Sequence, residues 1–100
     1  MRFVLSAILA LAVAFPALAE TRKERAARCA AQADIVAQAV EMRRKMKSEK
    51  KVRAALGETI DPKYAPSITP LVGFVFTLPR NDLKSDVAGA FTKQCEAYKP

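Results

Sequence analysis

The chain has 100 residues with 17 Lys and Arg against 10 Asp and Glu, no histidine, no tryptophan and a net charge of +7. A chain this short leaves room for one small basic domain, and the missing histidine removes the commonest general base and metal ligand. Neither of its two cysteines sits in a CxxC pair, so a thiolate metal site or a dithiol redox motif is not expected.

Residues 1–19, MRFVLSAILALAVAFPALA, place one positive charge, Arg2, before an uncharged run from Phe3 to Phe15, followed by Pro16 and Ala17-Leu18-Ala19. This is the pattern of a secretory signal peptide, and it predicts cleavage between Ala19 and Glu20. A membrane anchor would need roughly 20 apolar residues, and Pro16 closes this run too early. No cysteine lies near the cut to carry a lipid. Residues 20–100 are expected to form a single helical domain, periplasmic or secreted after cleavage. A domain of that size buries only about 60–65% of the surface of its unfolded chain and often needs a covalent staple. Cys29 and Cys95 allow one intramolecular pairing in an oxidising compartment, so a disulfide is predicted.

Thr21-Arg22-Lys23-Glu24 fits the S/T-x-x-E capping box and predicts a helix start. No glycine or proline follows until Gly57. Cys29, Ala33, Val36 and Val40 share one face at helical spacing, widened by Ile35, Ala39, Met42 and Met46. Val52, Ala55 and Leu56 begin a new stripe that a straight helix would not continue, and Ser48 is a fresh N-cap candidate. The pattern predicts a bend near Lys47 and Ser48, then a short second helix ended by Gly57.

Gly57 to Pro70 reads as a connector. Leu71 to Leu78, LVGFVFTL, has strand propensity, but no other segment offers a partner strand. Thr69 with Pro70 resembles a cap followed by proline at the first helical position, and Ile68, Leu71, Val72, Val75 and Phe76 keep helical spacing, so a third helix is predicted, stopped by Pro79. Asn81 or Ser85 is expected to cap a last helix carrying Val87, Phe91 and Cys95, with Leu83 and Ala88 beside them. The fold class is therefore all-α, a small bundle of about four helices with one disulfide. The first and last helices should run antiparallel, with Phe74, Val75 and Phe76 of the third filling the space between them. Tyr64 and Tyr98 are expected to anchor the connector and the C-terminus.

Nothing in the sequence points to catalysis: there is no Gly-rich phosphate loop, GxSxG elbow or metal-ligand spacing. Glu24 with Arg28 and Glu41 with Lys45 are spaced as ordinary surface ion pairs, and Asp34 with Glu41 lies on the side away from Cys29. The chain is expected not to be an enzyme and to carry no cofactor or metal. Its most informative stretch is MRRKMKSEKKVR, residues 42–53, in which Arg43, Arg44, Lys45, Lys47, Lys50, Lys51 and Arg53 face one carboxylate, Glu49. Residues 20–53 hold 11 Lys and Arg against 5 Asp and Glu, whereas residues 54–100 hold 5 of each.

Cations in the last turn of a helix meet the negative end of its dipole, which accounts for Arg43, Arg44, Lys45 and Lys47 but not for Lys50, Lys51 and Arg53. Charge runs usually face solvent; read functionally, these seven residues contact an anionic partner. Nucleic acid is not expected, because the chain is exported and no aromatic residue interleaves the charges. An acidic exported protein is favoured, and the other candidate is an anionic membrane surface, with Met42 and Met46 as an apolar edge. The reading is a small exported, non-enzymatic accessory or binding protein with a basic contact surface. The plan also resembles in outline that of small periplasmic acid-stress chaperones, which gives the alternative of a holdase exposing Phe74, Phe76 and Phe91. An inhibitor or immunity protein against a secreted enzyme would use the same basic surface.

Overall fold

The structure, a computed structural model, describes residues 20–98. The segment read as a signal peptide, with the Ala19 side of its cut, lies outside the described residues.

Helix α1 spans Arg22–Arg44. Its capping box forms as expected: the Thr21 hydroxyl accepts from the Glu24 amide at 2.9 Å, and the Glu24 carboxylate accepts from the Thr21 amide at 2.8 Å. Glu24 is thereby turned away from Arg28, so the i, i+4 ion pair expected between them does not form. The face predicted from spacing buries Cys29, Ile35, Val36, Ala39 and Val40, while Ala33 is half-buried. Met46 leaves that face, at 76% exposed, because the helix closes at Lys45. The closure is a Schellman motif: the Met46 amide donates to the Arg43 carbonyl at 2.9 Å and the Lys47 amide to the Met42 carbonyl at 3.1 Å.

The bend falls where the register slip placed it. Ser48 caps α2, Glu49–Thr59, through the Lys51 amide at 3.2 Å, and Val52 and Leu56 are buried while Ala55 is exposed. Gly57 does not end this helix. No glycine among the described residues has a positive φ, and the helix runs on until Ile60 turns extended ahead of Asp61 and Pro62. A methyl group added at Gly57 would meet nothing within 4 Å. Gly57→Ala is therefore expected to raise stability by about 0.8–1 kcal/mol through helix propensity, read as a shift of the urea midpoint at unchanged m.

The connector is more structured than its prolines suggested. A 3-10 segment covers Pro62–Ser67, and α3 runs Ile68–Thr77. Pro70 stands at the third helical position rather than the first, and Ser67 occupies the cap without a side-chain bond to an amide of the helix. Proline is tolerated there because the amides of a first turn have no carbonyl acceptor within the helix. Ile68, Val72 and Val75 are buried, with Leu71 and Phe76 packed at the margin. Phe74, expected inside, is 42% exposed. It lies about 200° round the helix from the buried Val72, and α1 and α2 are the helices that pack on α3.

A second 3-10 segment, Arg80–Lys84, buries Leu83 and contains Asn81. Helix α4, Val87–Ala97, is capped by Asp86, neither by Asn81 nor by Ser85: the Asp86 carboxylate accepts from the Gly89 amide at 2.9 Å. The Ser85 hydroxyl donates instead to the Asp82 carbonyl at 2.7 Å. A Cβ on Gly89 would run into the capping carboxylate, which accounts for a glycine inside a first turn. Helix α4 packs along α1, and the Cys29–Cys95 disulfide joins them with Cα atoms 5.7 Å apart. Arg43, late in α1, meets residues just ahead of α4, whereas Cys29, early in α1, meets its last turn, so the two helices run antiparallel. No side chain of α4 is fully buried; Val87, Ala88 and Phe91 pack against the rim of the core. Tyr64 is half-buried as an anchor should be, but Tyr98 is 65% exposed and anchors nothing, since the helix ends before it.

Candidate functional site: a basic connection between two helices

The last turn of α1, the connection Lys45–Ser48 and the first two turns of α2 gather all seven cations singled out in the sequence. They do not act alike. Arg43 is half-buried, and its Nη1 donates to the Val75 carbonyl at 2.6 Å and the Leu78 carbonyl at 2.5 Å. Its guanidinium also lies 5.4 Å from the Phe76 ring centroid. Arg43 thus supplies a charged donor at the C-terminus of α3, to the Leu78 carbonyl beyond the last turn and to the Val75 carbonyl, which also accepts from the Leu78 amide at 3.3 Å. This is a role in the fold.

Arg53 pairs with Glu49 at 3.0 Å, and Arg44 and Lys45 share Glu41 at 3.8 and 3.7 Å. The Glu41–Lys45 pair is the one the i, i+4 spacing predicted. Exposed pairs of this kind contribute about 0–1 kcal/mol each and leave the local charge positive. Lys47, Lys50 and Lys51 are exposed, and none of them pairs with a carboxylate among the described residues. Ser48 and Val52 explain why they gather: the cap fixes the start of α2, and burying Val52 turns Lys50 and Lys51 outward. Asp34 is exposed and accepts from Gln38 at 2.9 Å, in keeping with its expected solvent side.

Met46, at the centre of the connection, has φ 66°, the one left-handed non-glycine residue among those described. Sequence reasoning placed it on the apolar stripe of α1 and missed this. The only available signal was the end of a helix with no glycine to close it.

A second polar cluster surrounds the disulfide. Arg28 binds Glu20 through two bonds of 2.9 Å, and its Nη1 lies 3.6 Å from Cys95 Sγ and 3.3 Å from Gln32 Oε1. Gln32 in turn donates to the Ser67 hydroxyl at 2.9 Å, tying α1 to the first 3-10 segment. The hydrogen bond from Arg28 holds the Glu20 carboxyl below the ordinary carboxylate range, helped by the charges of Arg28 and Arg25 and opposed by burial. A lowered carboxyl stabilises the fold above its unfolded pKa, and that contribution fades as pH falls through the folded value. The same hydrogen bond pushes the Arg28 guanidinium up, further from neutrality.

Between α3 and α4 lies an apolar cleft of about 560 Å³, walled by Leu71, Phe74, Leu78, Val87 and Phe91, with Asp82 among its few polar residues. Among the described residues no three metal-ligating side chains are grouped, and no helix is long and apolar enough to cross a membrane. Comparison with protein-family models, with curated proteins and with solved structures returned no match.

Proposed function

We propose that this is a small exported binding protein, without catalytic activity, that docks the α1–α2 connection on an acidic surface. One observation carries the reading: Lys47, Lys50 and Lys51 stand exposed at a single connection, with no carboxylate paired to them among the described residues, beside Arg44 and Lys45 with their one shared carboxylate. A solvated helix face needs no such gathering, and a concentrated positive field attracts acidic partners from a distance. The disulfide is compatible with an exported protein and supports the compartment.

The test is affinity capture from an envelope fraction at low and high salt, comparing the wild type with a Lys47→Glu, Lys50→Glu, Lys51→Glu variant. Arg43 is left intact, so that the fold is not disturbed. Retention that disappears in the variant, and that weakens steeply as salt shortens the screening length from about 30 to 8 Å, is the expected result. Equal retention by both proteins would overturn the reading.

The apolar cleft supports a second reading, that of a stress holdase. Phe74 is already partly exposed in the folded chain, and Phe91 lines the same cleft. A holdase should gain hydrophobic-dye fluorescence on acidification while remaining soluble; a signal unchanged down to acid unfolding counts against it.

A further inference from the structure

The basic connection holds one side chain that the fold does not use. Met46 is 76% exposed, and its φ of 66° places it in the left-handed region that L side chains disfavour. At this closing position of α1 glycine carries no such penalty and is the usual occupant. The chain instead projects a flexible apolar side chain into solvent from an unfavourable backbone. Strain of that kind, retained with no packing in return, points to a role outside the folded molecule.

The surroundings indicate the partner. The arginines of the connection, whose planar forks suit carboxylate and phosphate alike, are engaged within the chain: Arg43 with the end of α3, Arg53 with Glu49, Arg44 with Glu41. The cations left over are lysines. A lysine places a compact charge on a long hydrocarbon stem, which can lie along an apolar boundary while its ammonium stays among headgroups.

We propose that the connection binds an anionic lipid bilayer, with Lys47, Lys50 and Lys51 on headgroup phosphates and Met46 inserted between them at the acyl boundary. This rests on the acidic-surface reading above and narrows that surface to an anionic lipid bilayer. The binding is peripheral: each lysine near an anionic surface contributes about fivefold in affinity, and one methionine side chain about tenfold.

The test uses the disulfide-bonded protein as recovered from its producing cells, its N-terminus defined by mass spectrometry. All variants share that terminus, so differences between them report the substituted residues. Titration is against vesicles of 70% phosphatidylcholine and 30% phosphatidylglycerol, with pure phosphatidylcholine vesicles and polyglutamate as the other arms. Wild-type protein should bind the anionic vesicles and not the neutral ones. Lys47→Glu with Lys50→Glu and Lys51→Glu should weaken binding at least a hundredfold.

Met46→Gly should weaken binding about tenfold while melting no lower than the parent, because glycine relieves the backbone. The chain has no tryptophan, so Met46→Trp provides a single reporter, and its emission should shift to the blue on anionic vesicles alone. Salt-sensitive binding to polyglutamate without vesicle binding overturns the lipid proposal and leaves the acidic-surface reading standing. Full vesicle affinity in Met46→Gly overturns the insertion. Unchanged affinity in the triple reversal on every arm overturns both.

Discussion

Breaking the Cys29–Cys95 bond, by Cys29→Ser or by reductant, is expected to lower stability by about 4 kcal/mol in the chain-entropy model. The bond closes a loop of 66 residues, and that constraint acts on the unfolded chain whatever the native contacts are. Domains of this size are stable by about 0.05–0.15 kcal/mol per residue, so the loss removes a third or more of the total. Because each kcal/mol shifts the midpoint by about 4–8 °C in a chain of this length, a fall of about 15–30 °C is expected on calorimetry of the reduced protein. Native packing cannot make up the difference at α4, which has no fully buried side chain and whose last turn is tied to α1 by the bridge itself. A fall of less than about 5 °C would mean that α4 is held by something other than the disulfide.

Arg43→Ala is expected to cost about 2–3 kcal/mol, an unusual figure for an arginine in a basic surface stretch. The substitution removes both donors from the Val75 and Leu78 carbonyls and the cation above Phe76. The Val75 carbonyl keeps the Leu78 amide, while the Leu78 carbonyl is left to find water beside an apolar core. Arg43→Lys should recover part of the loss, since both bonds come from one nitrogen that an ammonium can imitate, while the planar group over Phe76 is lost. Arg44→Ala, one residue on, should stay within about 0.5 kcal/mol, because Arg44 makes only an exposed pair with Glu41. Equal effects at the two positions, measured by urea unfolding, would contradict the assignment of Arg43 to the fold.

That pair of neighbours marks the limit of what the sequence discloses. In MRRKMKSEKKVR the two arginines look alike, and what separates them is the end of α3, 32 and 35 residues further on. The closing turn at Met46 was equally hidden, because spacing places Met46 on the apolar stripe of α1 for as long as the helix is assumed to continue. Phe74 was assigned to the core on hydrophobicity alone; its side of α3 was settled by the two helices available to cover it. The cap of α4 was narrowed to Asn81 or Ser85, yet Asp86 serves, since burying Leu83 places the preceding residues in a 3-10 segment.

From the residues alone came the helical class, the Thr21–Glu24 cap, the bend at Ser48, the buried face of α1 and the pairing of Cys29 with Cys95. These depend on interactions a few residues apart, on a repeat of 3.6, or on there being only two sulfurs to join. Which cations remain free, which phenylalanine faces water and which residue closes a helix were decided only when distant segments met. Carbonyls, cover and space at those positions come from other parts of the chain, and no local pattern encodes them.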